Sequence, residues 1–94
     1  MQSAHEVIIR PIISEKSFDL MEMNKFTFEV AKTARKEQIA KAIEEIFGVT
    51  VVKVNTMRVN GKPKRVRYQR GYTRSWKKAI VTLKEGDTIE VFGS

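Results

Sequence analysis

The 94-residue chain contains no cysteine. That absence removes disulfides, thiolate metal sites and cysteine nucleophiles from consideration, and it fits a reducing compartment. Histidine occurs once, at His5, so there is no material for a zinc finger or a histidine-based catalytic pair. Apolar runs end after three or four residues, against the roughly 20 needed to cross a bilayer, and no basic-then-apolar leader opens the chain. The expectation is a cytoplasmic protein without membrane insertion. Internal repeats and low-complexity tracts are also missing. With 41% apolar and 31% charged residues, the chain reads as one globular domain that hides about two-thirds of its extended surface on folding.

The most informative scarcity is of acid. Residues 46–84 hold no Asp or Glu at all, yet they carry Lys53, Arg58, Lys62, Lys64, Arg65, Arg67, Arg70, Arg74, Lys77, Lys78 and Lys84. The whole chain has a net charge of +7, so a segment at +11 leaves the remainder at minus four. One region is composed for a polyanion and the other is mildly acidic.

The hydrophobic pattern places these charges on a framework. Residues 7–10 form a short strand closed by Pro11, which cannot donate to a ladder. Ser14 is placed to cap a helix, with Glu15 in its first turn and Ile13 spaced to staple against Phe18. That helix runs to about Met23 and ends at Asn24. From residue 25 to 30 the chain alternates, with Phe26, Phe28 and Val30 on one face. Ile39, Ile43, Ile46 and Phe47 then recur at helical spacing, predicting a helix from near Thr33 or Ala34 to a cap at Gly48. Residues 50–59 are strand-like, but the apolar phase moves from Val52 and Val54 to Met57 and Val59, which predicts a bulge near Asn55. Residues 78–84 form another strand, with Ala79, Val81 and Leu83 facing the core. After a turn at Glu85-Gly86-Asp87, Ile89, Val91 and Phe92 make a short closing element. The fold class is α+β: a mainly antiparallel four-stranded sheet with helices on one face and a long basic hairpin loop.

That loop, residues 60–77, is too long for an ordinary hairpin connection. Its Lys and Arg can neutralise phosphates, Tyr68, Tyr72 and Trp76 can stack on bases, and Gly61 and Gly71 permit sharp turns. Interleaved basic and aromatic residues suit irregular unpaired RNA better than DNA. The bland alternative is a solvated charged loop, and for Trp76 anchoring in the core stands level with stacking. An RNA-recognition motif begins its strand signature basic-Gly-aromatic, as Arg70-Gly71-Tyr72 does, but Thr73, Arg74 and Ser75 then break the pattern. A helix-turn-helix lacks its second, base-reading helix.

Enzymatic chemistry finds little support. Glu44 and Glu45 are adjacent and diverge on a helix, so they read as a solvated face. Ser14 is explained by capping, and no phosphate-binding glycine loop precedes a helix. No cofactor or metal is expected.

Four stretches together resemble a known family, the universal large-subunit ribosomal protein L-twenty-three in its bacterial form. They are Arg10-Pro11-Ile12-Ile13-Ser14-Glu15-Lys16-Ser17, Lys25-Phe26-Thr27-Phe28-Glu29-Val30, Ile46-Phe47-Gly48-Val49 through Val54-Asn55-Thr56, and Arg74-Ser75-Trp76-Lys77-Lys78-Ala79-Ile80-Val81-Thr82-Leu83. The resemblance implies a ribosome-bound, non-enzymatic protein that binds large-subunit rRNA at the rim of the polypeptide exit tunnel, beside neighbouring ribosomal proteins. It also implies docking of trigger factor and the signal recognition particle, with the docking acid at Glu15 and the docking aromatic at Phe47. Gly48 stands where some members carry an acid. The candidate rRNA-binding residues are Arg58, Lys62, Lys64, Arg65, Arg67, Tyr68, Arg70, Tyr72, Arg74, Trp76, Lys77 and Lys78.

Overall fold

The computed structural model describes residues 4–59, 63–66, 69–72 and 75–90. Its elements run α1 (Ala4–Val7), β1 (Ile8–Pro11), α2 (Glu15–Glu22), β2 (Lys25–Val30), α3 (Lys36–Phe47), β3 (Val51–Val59), β4 (Pro63–Val66), β5 (Gln69–Tyr72) and β6 (Trp76–Leu83). Four strands form one antiparallel sheet in the order β1-β2-β6-β3, and β4 and β5 pair as a separate two-stranded ladder. This is the expected α+β arrangement, with one short helix, α1, that no sequence period announced. Four residues are too few for a hydrophobic repeat to show.

The core lies between the sheet and the helices. Phe26, Phe28 and Val30 of β2 and Ala79, Val81 and Leu83 of β6 are buried against Ile39, Ala42 and Ile43 of α3. Val7 of α1 belongs to the same cluster and Met21 of α2 packs against it. Each fully buried Ile or Phe contributes about 1.5–3 kcal/mol relative to its exposed state. Ile89 is buried too, although it belongs to no helix or strand; Val91 and Phe92 lie outside the described residues.

Helix ends follow local chemistry. Ser14 and Ser17 cap α2 reciprocally: Ser17 N–H donates to Ser14 Oγ at 3.2 Å and Ser14 N–H donates to Ser17 Oγ at 2.7 Å. Ile13 and Phe18, the expected staple, are both largely exposed. At α3 the Gln38 side chain accepts from Arg35 N–H at 2.8 Å, so the helix starts slightly later than its apolar period suggested. Gly48 ends it at φ 66°, where a residue with a side chain is strained. Asn24 follows α2 at φ 60°, a conformation that Asn tolerates. Its amide nitrogen donates to both Leu83 O and Lys84 O at 2.9 Å, locking that turn to the end of β6.

The first strand starts at Ile8, since Val7, expected in it, closes α1, and it runs on to include Pro11. The β3 irregularity falls between Val51 and Lys53, not near Asn55, and beyond it the register with β6 is unbroken to Val59↔Trp76. The change of apolar phase is therefore a change of face: Val54 is buried in the core, while Met57 and Val59 occupy the opposite face as the strand leaves it. In β2, alternation set Thr27 and Glu29 on the face opposite Phe26, Phe28 and Val30, and both of them are also buried, at 4% exposed. β2 lies inside the sheet, between β1 and β6. Among the described residues, no helix is long and apolar enough to cross a membrane.

Candidate nucleic-acid interface

The acid-free segment builds an arm. β3 and β6 pair antiparallel as its stem, and the long connection between them is itself strand-forming: β4 and β5 pair in the register Pro63↔Tyr72, Lys64↔Gly71, Arg65↔Arg70 and Val66↔Gln69. What composition alone marked as a loop is thus partly a second hairpin. Its β-branched and aromatic content is sparse, so sequence periodicity gave no strand signal there. The register sets Arg65 opposite Arg70 along the backbone.

The candidate residues divide by position. Arg58, Trp76, Lys77 and Lys78 stand at the stem, where Arg58 pairs with Lys77, Met57 with Lys78 and Val59 with Trp76. Arg58 is exposed, and Trp76 and Lys78 are partly buried. Lys77 is committed inward, since its Nζ donates to the Ala34 carbonyl oxygen at 2.5 Å. Lys64, Arg65, Arg70 and Tyr72 are placed by backbone on β4 and β5. Lys62, Arg67, Tyr68 and Arg74 lie outside the described residues. Lys53, exposed on β3, joins the same basic strand as Arg58.

One charged pair near the stem escaped sequence reasoning. Arg10 of β1 donates from Nε to Glu29 Oε1 of β2 at 2.7 Å, and the Glu29 side chain is 5% exposed against 61% for Arg10. The partners are 19 residues apart in sequence, so only the β1·β2 register, which sets Arg10 beside Glu29, brings them together. Glu29 also pairs in register with Lys78. A buried carboxylate is costly without such compensation.

The two docking candidates lie elsewhere. Glu15 is exposed in the first turn of α2, where its charge also complements the helix dipole. Phe47, at the end of α3, is partly buried, with its ring centroid 5.8 Å from that of Phe28 and the planes tilted by 35°. Glu44 and Glu45 are exposed as expected, and Glu44 Oε2 additionally accepts from Val51 N–H at 3.0 Å, fixing the start of β3. Among the described residues, no cluster of three or more His, Asp or Glu is positioned to hold a metal ion.

Comparison with known proteins agrees with this architecture. The family model described as Ribosomal protein L23 matches residues 6–91. Large ribosomal subunit protein uL23 of Roseiflexus castenholzii is 58% identical over 90 residues, covering 96% of each chain. The proteins of the same name from Herpetosiphon aurantiacus and Thermotoga neapolitana are 55% and 54% identical, covering 96% of both chains in the first case and 94% of this chain and 88% of the relative in the second. With a family match over nearly its full length, a four-stranded sheet that carries a basic arm, and more than half its residues shared with these relatives, the chain belongs to the ribosomal protein L23 family.

Proposed function

We propose that this chain, as a structural and non-enzymatic component of the large ribosomal subunit, binds large-subunit rRNA through the arm and its stem at the rim of the polypeptide exit tunnel. The observation behind this role is the segment of eleven bases and no acid, folded as an antiparallel arm on a compact sheet-and-helix body. Lys and Arg along the arm displace counterions from phosphates, which supplies affinity without a sequence code. Tyr68, Tyr72 and Trp76 add stacking surfaces for unpaired bases. The body, which carries the remaining negative charge, faces neighbouring ribosomal proteins and incoming factors. Glu15 and the open part of Phe47 serve there as contacts for trigger factor and the signal recognition particle. The protein works in the cytoplasm, bound to ribosomes, without DNA as a partner.

The decisive experiment is cross-linking of the full chain within ribosomes, with photoreactive residues placed at Val66 and at Lys16. The Val66 probe should capture large-subunit rRNA and the Lys16 probe should capture protein. Capture of protein alone from Val66 would overturn the rRNA role of the arm.

A further inference from the structure

We infer that Arg10 is a phosphate-binding residue outside the arm, its guanidinium aimed by the buried Glu29 so that its terminal nitrogens take one phosphodiester of the RNA that the arm engages. The inference rests on the rRNA-binding role and extends the binding surface from the arm onto the edge strand of the sheet.

Arg10 lies outside the acid-free segment, in the part of the chain whose charges sum to minus four, so composition gives no reason to single it out. Register does. One rung of the sheet runs Arg10 of β1, Glu29 of β2, Lys78 of β6 and Met57 of β3, and directly paired residues share a face, here the one opposite Phe28. Two cations thus flank one carboxylate, and the second of them stands on the stem of the arm. With neighbouring strands about 4.8 Å apart, the backbone at Arg10 is roughly 10 Å from that at Lys78.

Glu29 is not itself open to a ligand. Its side chain is 5% exposed, and its carboxylate is engaged by Arg10 Nε at 2.7 Å and by a further interaction within the protein. What it does is aim its partner. The Arg10 side chain is 61% exposed, yet a long side chain gripped at Nε by a buried acceptor has lost much of its freedom before any ligand arrives. Nε carries one of the five guanidinium N–H donors, and the four on the terminal nitrogens form the fork that matches two oxygens of a phosphate. Among the described residues, Glu29 is the one acceptor that Arg10 meets. The surroundings favour RNA over a carboxylate of another protein. The β1·β2 register shifts between Ile8 and Arg10, and Ile9, 53% exposed, lines a cleft with the exposed Lys32 and with Trp76 at the root of the arm. The edge strand is therefore continuous with the foot of the arm, and an RNA strand neutralised by the arm meets Lys32 and Arg10 as it leaves.

The test uses the full chain and large-subunit rRNA, with filter binding at several potassium chloride concentrations and a melting curve to check the fold of each variant. Arg10→Gln should weaken binding about five- to tenfold and make the slope of log affinity against log salt shallower by about 0.7–0.9, the contribution of one phosphate. Arg10→Lys keeps the charge but loses the fork, so the slope should hold while binding still weakens about threefold. Lys41→Gln, which removes an exposed cation from α3, should change neither. Glu29→Gln removes a negative charge, which by charge count alone raises affinity; because it loosens Arg10, affinity should fall instead. A photoreactive residue at Ile9 in assembled ribosomes should capture large-subunit rRNA, and that arm of the test stands even if the Arg10 and Glu29 variants unfold. Unchanged affinity and slope for Arg10→Gln, a rise in affinity for Glu29→Gln, or capture of protein alone from Ile9 overturns the inference and leaves the arm's role intact. Failure of the unaltered chain to bind rRNA removes both.

Discussion

Lys77 on β6 donates from its Nζ to the carbonyl oxygen of Ala34, in the turn that precedes α3, 43 residues earlier in sequence. The contact ties the root of the arm to the helical layer, and it spends a cation of the basic segment on the fold itself. Hydrogen bonds made by charged groups contribute about 1.5–3 kcal/mol.

Substituting Lys77→Met should therefore lower stability in urea by about 1–2 kcal/mol, more than Arg58→Met at the neighbouring exposed position. RNA affinity should respond in the opposite order, with Arg58→Met the more damaging. Equal stability of the two variants would show that the Ala34 contact is dispensable.

Affinity for rRNA should fall steeply with salt. If about half of the bases in residues 60–77 touch phosphate, the slope of log affinity against log salt is roughly minus three. Filter binding across a range of potassium chloride concentrations measures it, and a slope near zero would rule out an electrostatic arm.

Glu15→Ala should leave folding and rRNA binding nearly unchanged, because the side chain is exposed and its dipole contribution is about 0.3–1 kcal/mol. It should weaken trigger factor binding to ribosomes, and Glu15→Lys should weaken it further through repulsion. Titrations on ribosomes carrying each variant decide the matter; unchanged affinity for both reduces Glu15 to a favourable charge at a helix start.

Ile43 is fully buried in the centre of α3, so Ile43→Ala should cost about 2–5 kcal/mol, whereas the exposed Val52→Ala should cost far less. Thermal melts of the two variants supply the comparison.

The sequence made some of this architecture readable and hid the rest for physical reasons. Ile39 and Ile43 announced α3 because a helix that buries one face must repeat its apolar residues at that spacing, and Ser14 announced α2 because orphan N–H groups need an acceptor. Phe26, Phe28 and Val30 were legible as a core face. Thr27 and Glu29 were not, because their burial depends on which strands flank β2, and local alternation carries no information about neighbours. The same holds at the interface. Composition located the basic segment, but the pairing of β4 with β5, the inward turn of Lys77 and the Arg10–Glu29 contact all depend on register between strands. Trp76 was open between anchoring and stacking; it is partly buried, paired with Val59 at the end of the β3·β6 register.

The strand order β1-β2-β6-β3 has a consequence for the order of synthesis. Among the described residues, the strand latest in sequence, β6, is the one that sits between β2 and β3, so neither has its inner neighbour until residues 76–83 have been made. A growing chain therefore completes the entire basic arm before its sheet can close. Closure of the sheet waits on β6, a long-range step of the kind that slows folding in non-local strand pairing. During that interval the arm is already able to meet RNA, which lets a polyanion gather the chain before its core is sealed.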